Sequence, residues 1–343
     1  MQEPDTKTMV PLIKCGYAQY LIKGVIHLGF DPHPIISEAG LPAQLMDLDE
    51  EFIPHDSVKK LLSLLGEKLE TEQFRQLVKT ALQRNSIQRL IGEFRDCKTV
   101  REALLQTGHI YLHDSTNVNV GLDESYGEFW YWIKRKSEES AEFIWSELYA
   151  ITYIVELIRA LSRTDWQPSK IKVQSLDIEP HKSMLPNKCQ FYVNHSQIEI
   201  YLEEEVLATP LVLPSKVLDK PLLDASWHSS FTDKVFTGLY PYAKDLDLTV
   251  KRSAELLKMS TRTFQRRLGE EGTTFRALKD SLMFTCAIEM MTEGFPLTQI
   301  ATQLSFADLS QFSRSFKRVS GLNPQKYQKL ILMGDGHLDV QKK

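Results

Sequence analysis

The sequence is poor in the features that mark covalent staples, membrane spans and common catalytic sites. Only four cysteines, Cys15, Cys97, Cys189 and Cys286, occur in 343 residues, and no two form a C-x-x-C pair. That excludes a disulfide framework or a zinc ribbon, leaving reduced, buried thiols as the reading. No uncharged apolar run approaches the roughly 18 residues a membrane-spanning helix needs. The stretch "MQEPDTKTMV" lacks the basic start and apolar core of a secretory signal. A soluble, cytoplasmic protein without a membrane partner is expected. G-x-S-x-G, H-E-x-x-H, the P-loop and G-x-G-x-x-G are also missing, so the sequence motifs of hydrolases, zincins, NTPases and dinucleotide enzymes do not apply. No catalytic residue, metal ligand or cofactor is expected.

Net charge is also small, −4 overall, with 42% hydrophobic and 25% charged residues. Its distribution says more. Residues 1–244 hold 26 Lys/Arg against 34 Asp/Glu, whereas residues 245–333 hold 13 against 9. An acidic body of −8 therefore carries a basic part of +4, which points to a polyanion partner for that part alone. The length favours two folding units.

The first 115 residues read as helices: Leu12 to Leu28 has apolar residues at helical spacing, Asp56 opens "DSVKKLLSLLGEKL", and Thr99-x-x-Glu102 is a capping-box signature. The period then changes. "TNVNVGL" and "EFWYWIKRK" flank a glycine-containing turn and predict a β-hairpin. A buried helix is expected over roughly 140–162, followed by strands in "KIKVQSLDI", "CQFYVN" and "QIEIYLE". This gives an α+β N-terminal domain, helices plus a mainly antiparallel sheet, over 1–213. A proline-rich linker over 214–228, an all-α domain over 229–333 and a flexible tail over 334–343 complete the organisation.

The all-α part contains a repeat. "AELLKMSTRTFQRRL" from Ala254 is answered 47 residues later by "ATQLSFADLSQFSRSF" from Ala301. Ala254 aligns with Ala301, Leu257 with Leu304 and Met259 with Phe306. After one extra residue, Phe264-x-Arg266-x-Leu268 aligns with Phe312-x-Arg314-x-Phe316. At 100° per residue with Ser260 as N-cap, Phe264 and Leu268 share a buried face while Arg262, Gln265 and Arg266 lie opposite. In the second copy Phe312 and Phe316 point inward and Ser310, Ser313, Arg314 and Lys317 outward, with Gln311 at the flank. Each pattern is a helix-turn-helix, a second helix presenting Arg, Gln and Ser to a major groove. Arginine can donate two hydrogen bonds to guanine and glutamine can pair with adenine, whereas Lys317, Arg267 and Arg318 suit phosphates. Between the copies, "FRALKDSLMFTCAIEMMTEG" predicts a helix of about 18 residues, roughly 27 Å long, close to the roughly 34 Å between successive major-groove segments.

In these residues, together with "AIEMM" and "GLNPQKY", the stretch 233–328 resembles the DNA-binding domain of the AraC/XylS family of bacterial transcription regulators. The resemblance implies DNA contacts by Arg262, Gln265, Arg266, Ser310, Gln311, Ser313, Arg314 and Lys317. It departs from the family at two tight turns, where Lys258 and Ser305 stand in place of a frequent glycine and predict non-glycine residues at positive φ. Met283 also replaces a usual arginine.

Residues 12–213, through "FIPHDSVKKLL", "DWQPSKIKV" and "CQFYVNHSQIEIYLEEEVLATPL", resemble the arabinose-binding-type effector domain of one branch of that family. The resemblance implies a small-molecule effector of unknown identity, a homodimer, double-stranded promoter DNA as partner and, for an activator, RNA polymerase. His109 and His113, with Asp114 beside them, have metal-compatible spacing, against which stands a reading of these and of His27, His33, His55, His181 and His195 as solvated or capping. Phe129 to Trp132 are read as hairpin core or as pocket lining, and Glu203 to Glu205 as a solvated face. Two other functional readings remain: a regulator of the same type controlled by protein contacts, and an enzyme with a basic helical appendage.

Overall fold

A computed structural model describes residues 10–49, 51–111, 113–116, 118–135, 143–184, 189–213, 230–244 and 248–332. The linker expected at 214–228 and the tail at 334–343 lie outside the described residues, as does the start of the helix expected from Ser140. The chain divides into two compact units, one of Met1–Leu41 and Leu45–Trp227, the other of Pro42–Gln44 and His228–Lys343.

The N-terminal unit begins with a difference from the sequence reading. Leu12–Lys14 is a strand, β1, pairing antiparallel with β2 (Phe52–Pro54), and only Gly16–His27 is helical (α1). Leu12 and Ile13 are both buried, so the strand lacks the alternation that would separate it from a helical turn. α2 (Pro32–Ala39) starts at Asp31, whose carboxylate caps the His33 N–H at 3.0 Å. α3 (His55–Lys68) and α4 (Thr71–Ala81) follow, and a π-helical turn over Leu82–Ser86 leads into α5 (Ile87–Ile91). At α6 (Val100–Tyr111) the expected capping box is shifted: Thr99 Oγ1 accepts the Glu102 N–H at 3.2 Å, but the Glu102 carboxylate reaches the Lys98 N–H, at 2.7 Å.

The hairpin consists of β3 (Val118–Ser125) and β4 (Glu128–Arg135), joined by Tyr126 and Gly127 at φ 53° and 77°. Two positive-φ residues match a type I′ turn, whose twist suits a two-residue hairpin. After α7 (Phe143–Ser162) come β5 (Lys170–Lys172), α8 (Glu179–Met184), β6 (Gln190–Tyr192), β7 (Ile198–Leu202) and α9 (Glu204–Leu207). The five-stranded sheet has the order β3-β4-β7-β5-β6 and is antiparallel except for β5–β6. One face, through Tyr131, Ile133, Ile171, Ile198 and Ile200, is buried, and Tyr131 bonds Thr107 of α6 at 2.7 Å. On the other face Trp130 meets Tyr201 at 5.6 Å, under the ammonium of Lys172 at 3.8 Å. Phe129 and Tyr131 are thus core, and Trp130 belongs to the outer sheet face.

Three histidine and glutamate expectations are corrected. His55 and His181 are buried, not solvated, and His181 Nε2 lies 2.9 Å from Glu147 of α7, also fully buried. Burial pushes the Glu147 carboxyl up, yet His181, Ser175 Oγ and the Gln174 N–H, at 2.7 Å, together hold it below the ordinary glutamate value. Glu203 is half-buried and accepts from Trp166 Nε1 at 2.9 Å and Ser169 Oγ at 3.0 Å, whereas Glu204 and Glu205 are exposed, as expected of a solvated face. Beside His113, Asp114 is taken up by Arg89 and by Tyr17 at 3.0 Å. Among the described residues no group of three or more His, Cys, Asp or Glu is arranged to hold a metal ion, and no helix is long and apolar enough to cross a membrane.

The C-terminal unit is helical: α10 (Phe231–Leu239), α11 (Val250–Leu256), α12 (Thr261–Glu270), α13 (Phe275–Thr292), α14 (Leu297–Gln303), α15 (Leu309–Ser320) and α16 (Pro324–Leu332). Its aromatics form two clusters. Phe264 meets Phe231 and Phe275 at 6.4 and 5.8 Å, whereas Phe316 meets Phe284, Phe312 and Tyr327 at 4.9, 5.7 and 5.3 Å. Fully burying such a side chain contributes about 2–3 kcal/mol, so each half of the unit has its own anchor.

Candidate nucleic-acid interface

The sequence repeat is a structural repeat down to its hydrogen bonds. In the first copy α11 ends in a turn where Lys258 N–H donates to Glu255 O at 3.1 Å and Met259 N–H to Ala254 O at 2.9 Å. In the second, Ser305 N–H donates to Thr302 O at 3.0 Å and Phe306 N–H to Ala301 O at 2.9 Å, the same offsets. Lys258 and Ser305 have φ of 50° and 59°, the left-handed conformation expected of them. Ala254 and Ala301 are both buried.

Both second helices are capped. Ser260 Oγ accepts the Thr263 N–H at 3.1 Å to start α12, and Asp308 Oδ1 accepts the Gln311 N–H at 2.6 Å to start α15. The extra residue of the second copy is Ala307, and its N–H is satisfied by Gln311 Oε1 at 2.8 Å. Gln311 therefore closes a capping arrangement around the insertion, a role that the spacing Asp308-x-x-Gln311 could have signalled.

On α12, Arg262, Gln265 and Arg266 are exposed; on α15, Ser310, Gln311, Arg314 and Lys317 are exposed and Ser313 is half-buried. Each set lies opposite its buried pair, Phe264 with Leu268 and Phe312 with Phe316. Arg266 pairs with Glu270 one turn on, both more than half exposed. Such surface pairs contribute about 0–1 kcal/mol and break readily.

Two expected phosphate ligands are placed differently. Arg267 is buried, its guanidinium 5.1 Å from the centroid of Phe231, so it holds α12 against α10. Three positions after Phe264, Arg267 falls 60° from it on a helical wheel, and that proximity was a readable sign of the buried side. Arg318 pairs with Asp280 of α13, which also accepts Ser315 Oγ at 2.6 Å. Glu271 completes the anchoring by accepting the Phe231 and Thr232 N–H groups at 2.7 and 2.8 Å. It caps α10 and sits where the helix dipole favours negative charge.

Residues 253–330 match the family described as a helix-turn-helix domain. Residues 29–210, more than half of the chain, match the arabinose-binding domain of AraC transcription regulators, at its N-terminal position. Similar curated proteins include HTH-type transcriptional regulators of Mycobacterium bovis and Mycobacterium tuberculosis, each 37% identical over 94 residues, 27% of this chain and 25% of theirs. The ornithine utilization regulator of Pseudomonas aeruginosa is 32% identical over 80 residues, 23% of this chain and 24% of its own. The chain thus aligns with about a quarter of the length of these relatives. The solved transcriptional regulator CdpR from Pseudomonas aeruginosa aligns over 92% of this chain and 98% of its own, at 16% identity and a TM-score of 0.42. With a helix-turn-helix domain following an arabinose-binding-type domain, the chain belongs to the AraC family of transcription regulators.

Proposed function

We propose that the protein is an effector-responsive regulator whose α12 and α15 enter two successive major-groove segments of one promoter duplex. The observation that carries this reading is the pair of matched helix-turn-helix units, each with its arginine-bearing face exposed opposite a buried apolar pair, Phe264 with Leu268 and Phe312 with Phe316. α13, 18 residues and so about 27 Å long, links them at a length compatible with adjacent groove segments. Arg262, Gln265 and Arg266 read or flank the first segment, and Ser310, Ser313, Arg314 and Lys317 the second. Gln311 Oε1 holds the Ala307 N–H, so a bidentate adenine contact would draw on the second lone pair of that oxygen together with the Nε2 amide. The N-terminal unit serves as the effector-binding and dimerisation domain, and as an activator the protein would engage RNA polymerase.

The test is gel retardation and footprinting of the full chain on its own upstream DNA. Arg266→Ala with Arg314→Ala is expected to weaken specific binding by about 1–3 kcal/mol per lost base contact, whereas Lys317→Ala lowers the salt slope by about one unit. An unchanged footprint in the double variant rejects the assignment.

A further inference from the structure

The two second helices differ at their tips. Aligned from their N-caps, Ser260 and Asp308, they carry Thr261 and Leu309 at the first helical position, Arg262 and Ser310 at the second, Gln265 and Ser313 at the fifth. At the sixth both carry arginine, Arg266 and Arg314. The tip of α12 is therefore polar and long-reaching, whereas the tip of α15 is a leucine beside two short hydroxyls. Leu309 is 40% exposed. Single exposed leucines are ordinary on protein surfaces, and what sets this one apart is its place. Among the described side chains of the C-terminal unit, Leu309 and Val319 are the large apolar ones left exposed; both belong to α15, and Val319 lies in its last turn, away from the tip. The core does not call on Leu309, because Phe312 and Phe316 already close the buried side of the helix. Its backbone is nevertheless fixed: Asp308 Oδ1 accepts the Gln311 N–H at 2.6 Å, and Gln311 Oε1 accepts the Ala307 N–H at 2.8 Å.

A recognition helix meets base edges with its N-terminal residues, so Leu309 leads α15 into the groove. Ser310 and Ser313 are both shorter than it and suit either base pair, which leaves the leucine to make the discriminating contact at that end. The apolar group that a major groove offers is the 5-methyl of thymine. We infer that Leu309 is a specificity residue that reads one thymine methyl in the segment entered by α15. The target then has two unlike halves, one read by α12 through hydrogen bonds, the other by α15 through an apolar contact at its tip and Arg314 further along. The inference rests on the DNA reading proposed above. Removing one methyl from water is worth about a fourfold change in affinity.

The experiment uses the full chain and the upstream DNA fragment that it protects. Each thymine of the footprint is replaced in turn by deoxyuridine, which lacks only the methyl group. At one position wild-type binding should weaken about fourfold. Leu309→Ala should bind the unmodified fragment at least as weakly, should not distinguish thymine from deoxyuridine at that position, and should keep the wild-type salt slope, since no phosphate contact is lost. Leu309→Met, which restores an apolar reach, should recover the discrimination, and Leu309→Asn should not. The deoxyuridine scan of the wild type needs no variant, so a substitution that impairs folding cannot conceal the result. Wild-type binding that ignores every thymine methyl, or a Leu309→Ala variant that still discriminates at each position where wild type does, overturns the role of the leucine and leaves the DNA reading intact. Failure of the wild type to retard the fragment at all rejects the DNA reading, and the inference with it.

Discussion

The two turn residues at positive φ give the sharpest test of the helix-turn-helix geometry. Lys258 and Ser305 stand at φ 50° and 59°, where a side chain beyond glycine costs about 1 kcal/mol. Replacing either by glycine removes that strain but frees the unfolded chain, at a cost of about 0.4–1 kcal/mol. The expected net gain is about 0.3 kcal/mol per turn and about 0.6 kcal/mol for Lys258→Gly with Ser305→Gly. For a unit of roughly 100 residues that corresponds to a rise in its melting temperature of about 2–5 °C, measurable by calorimetry on the full chain. Ser305 is the cleaner position, since its side chain is short and exposed. There Ser305→Ala should melt close to wild type, because alanine is strained alike, and Ser305→Val should melt lower, because a β-branched residue tolerates this conformation least. If both glycine variants melt below wild type, or valine is as stable as alanine, the left-handed assignment is wrong.

Arg267→Ala should lower stability by about 1–2 kcal/mol through loss of its packing on Phe231 and leave the salt slope of DNA binding unchanged, as read by melting and by binding at several salt concentrations. Glu147 has a depressed pKa in the folded state, so its contribution is present above the unfolded value and is lost as pH falls through the folded one. Urea midpoints between pH 7 and 3 should therefore fall more steeply for wild type than for Glu147→Gln, and parallel curves would reject this. Gly66→Ala, which helix propensity alone makes favourable by about 1 kcal/mol, should instead cost about 1–3 kcal/mol: the added Cβ would lie 2.3 Å from the Trp145 ring, itself packed edge-on against Phe74 at 5.0 Å. Thermal melting of that variant decides between the two signs.

What was legible in the sequence was local. The hairpin, the buried α7 and each helix-turn-helix unit follow from period and capping residues within about twenty residues, the pairing of the units from a repeat 47 residues apart, and the positive-φ turns from the resemblance to the AraC/XylS family. What stayed hidden depends on partners far apart in the chain. β1 is a strand only because Phe52–Pro54 pairs with it, and its two consecutive buried residues imitate a helix. The Glu147 network draws on Gln174, Ser175 and His181, 27 to 34 residues away, so no spacing rule marks His181 as buried. Arg267 is intermediate: the wheel placed it beside Phe264, but only Phe231, in another helix, makes a buried guanidinium favourable.

The contacts that orient the two second helices are separate from the faces they expose. α12 is held by Arg267 on Phe231 and by Glu271 on the start of α10; α15 is held by Ser315 and Arg318 on Asp280 of α13. Each set lies on different side chains from Arg262, Gln265, Arg266, Ser310, Arg314 and Lys317. The Arg266–Glu270 pair, being exposed, restrains its arginine by no more than about 1 kcal/mol, less than a charge-assisted bond to a base or phosphate would return. Substitutions on the exposed faces should therefore change DNA affinity at nearly constant stability, and substitutions at Arg267, Glu271 or Asp280 should change stability first. Gln311 breaks this division, because its side chain both caps the insertion at Ala307 and borders the exposed face. Gln311→Ala should lower stability and DNA affinity together, whereas Gln311→Glu keeps the acceptor for Ala307 and places a negative charge beside the DNA. Affinity lost in Gln311→Glu at unchanged melting temperature, against joint loss in Gln311→Ala, would separate the two roles; equal melting of both variants with wild type would remove the capping role.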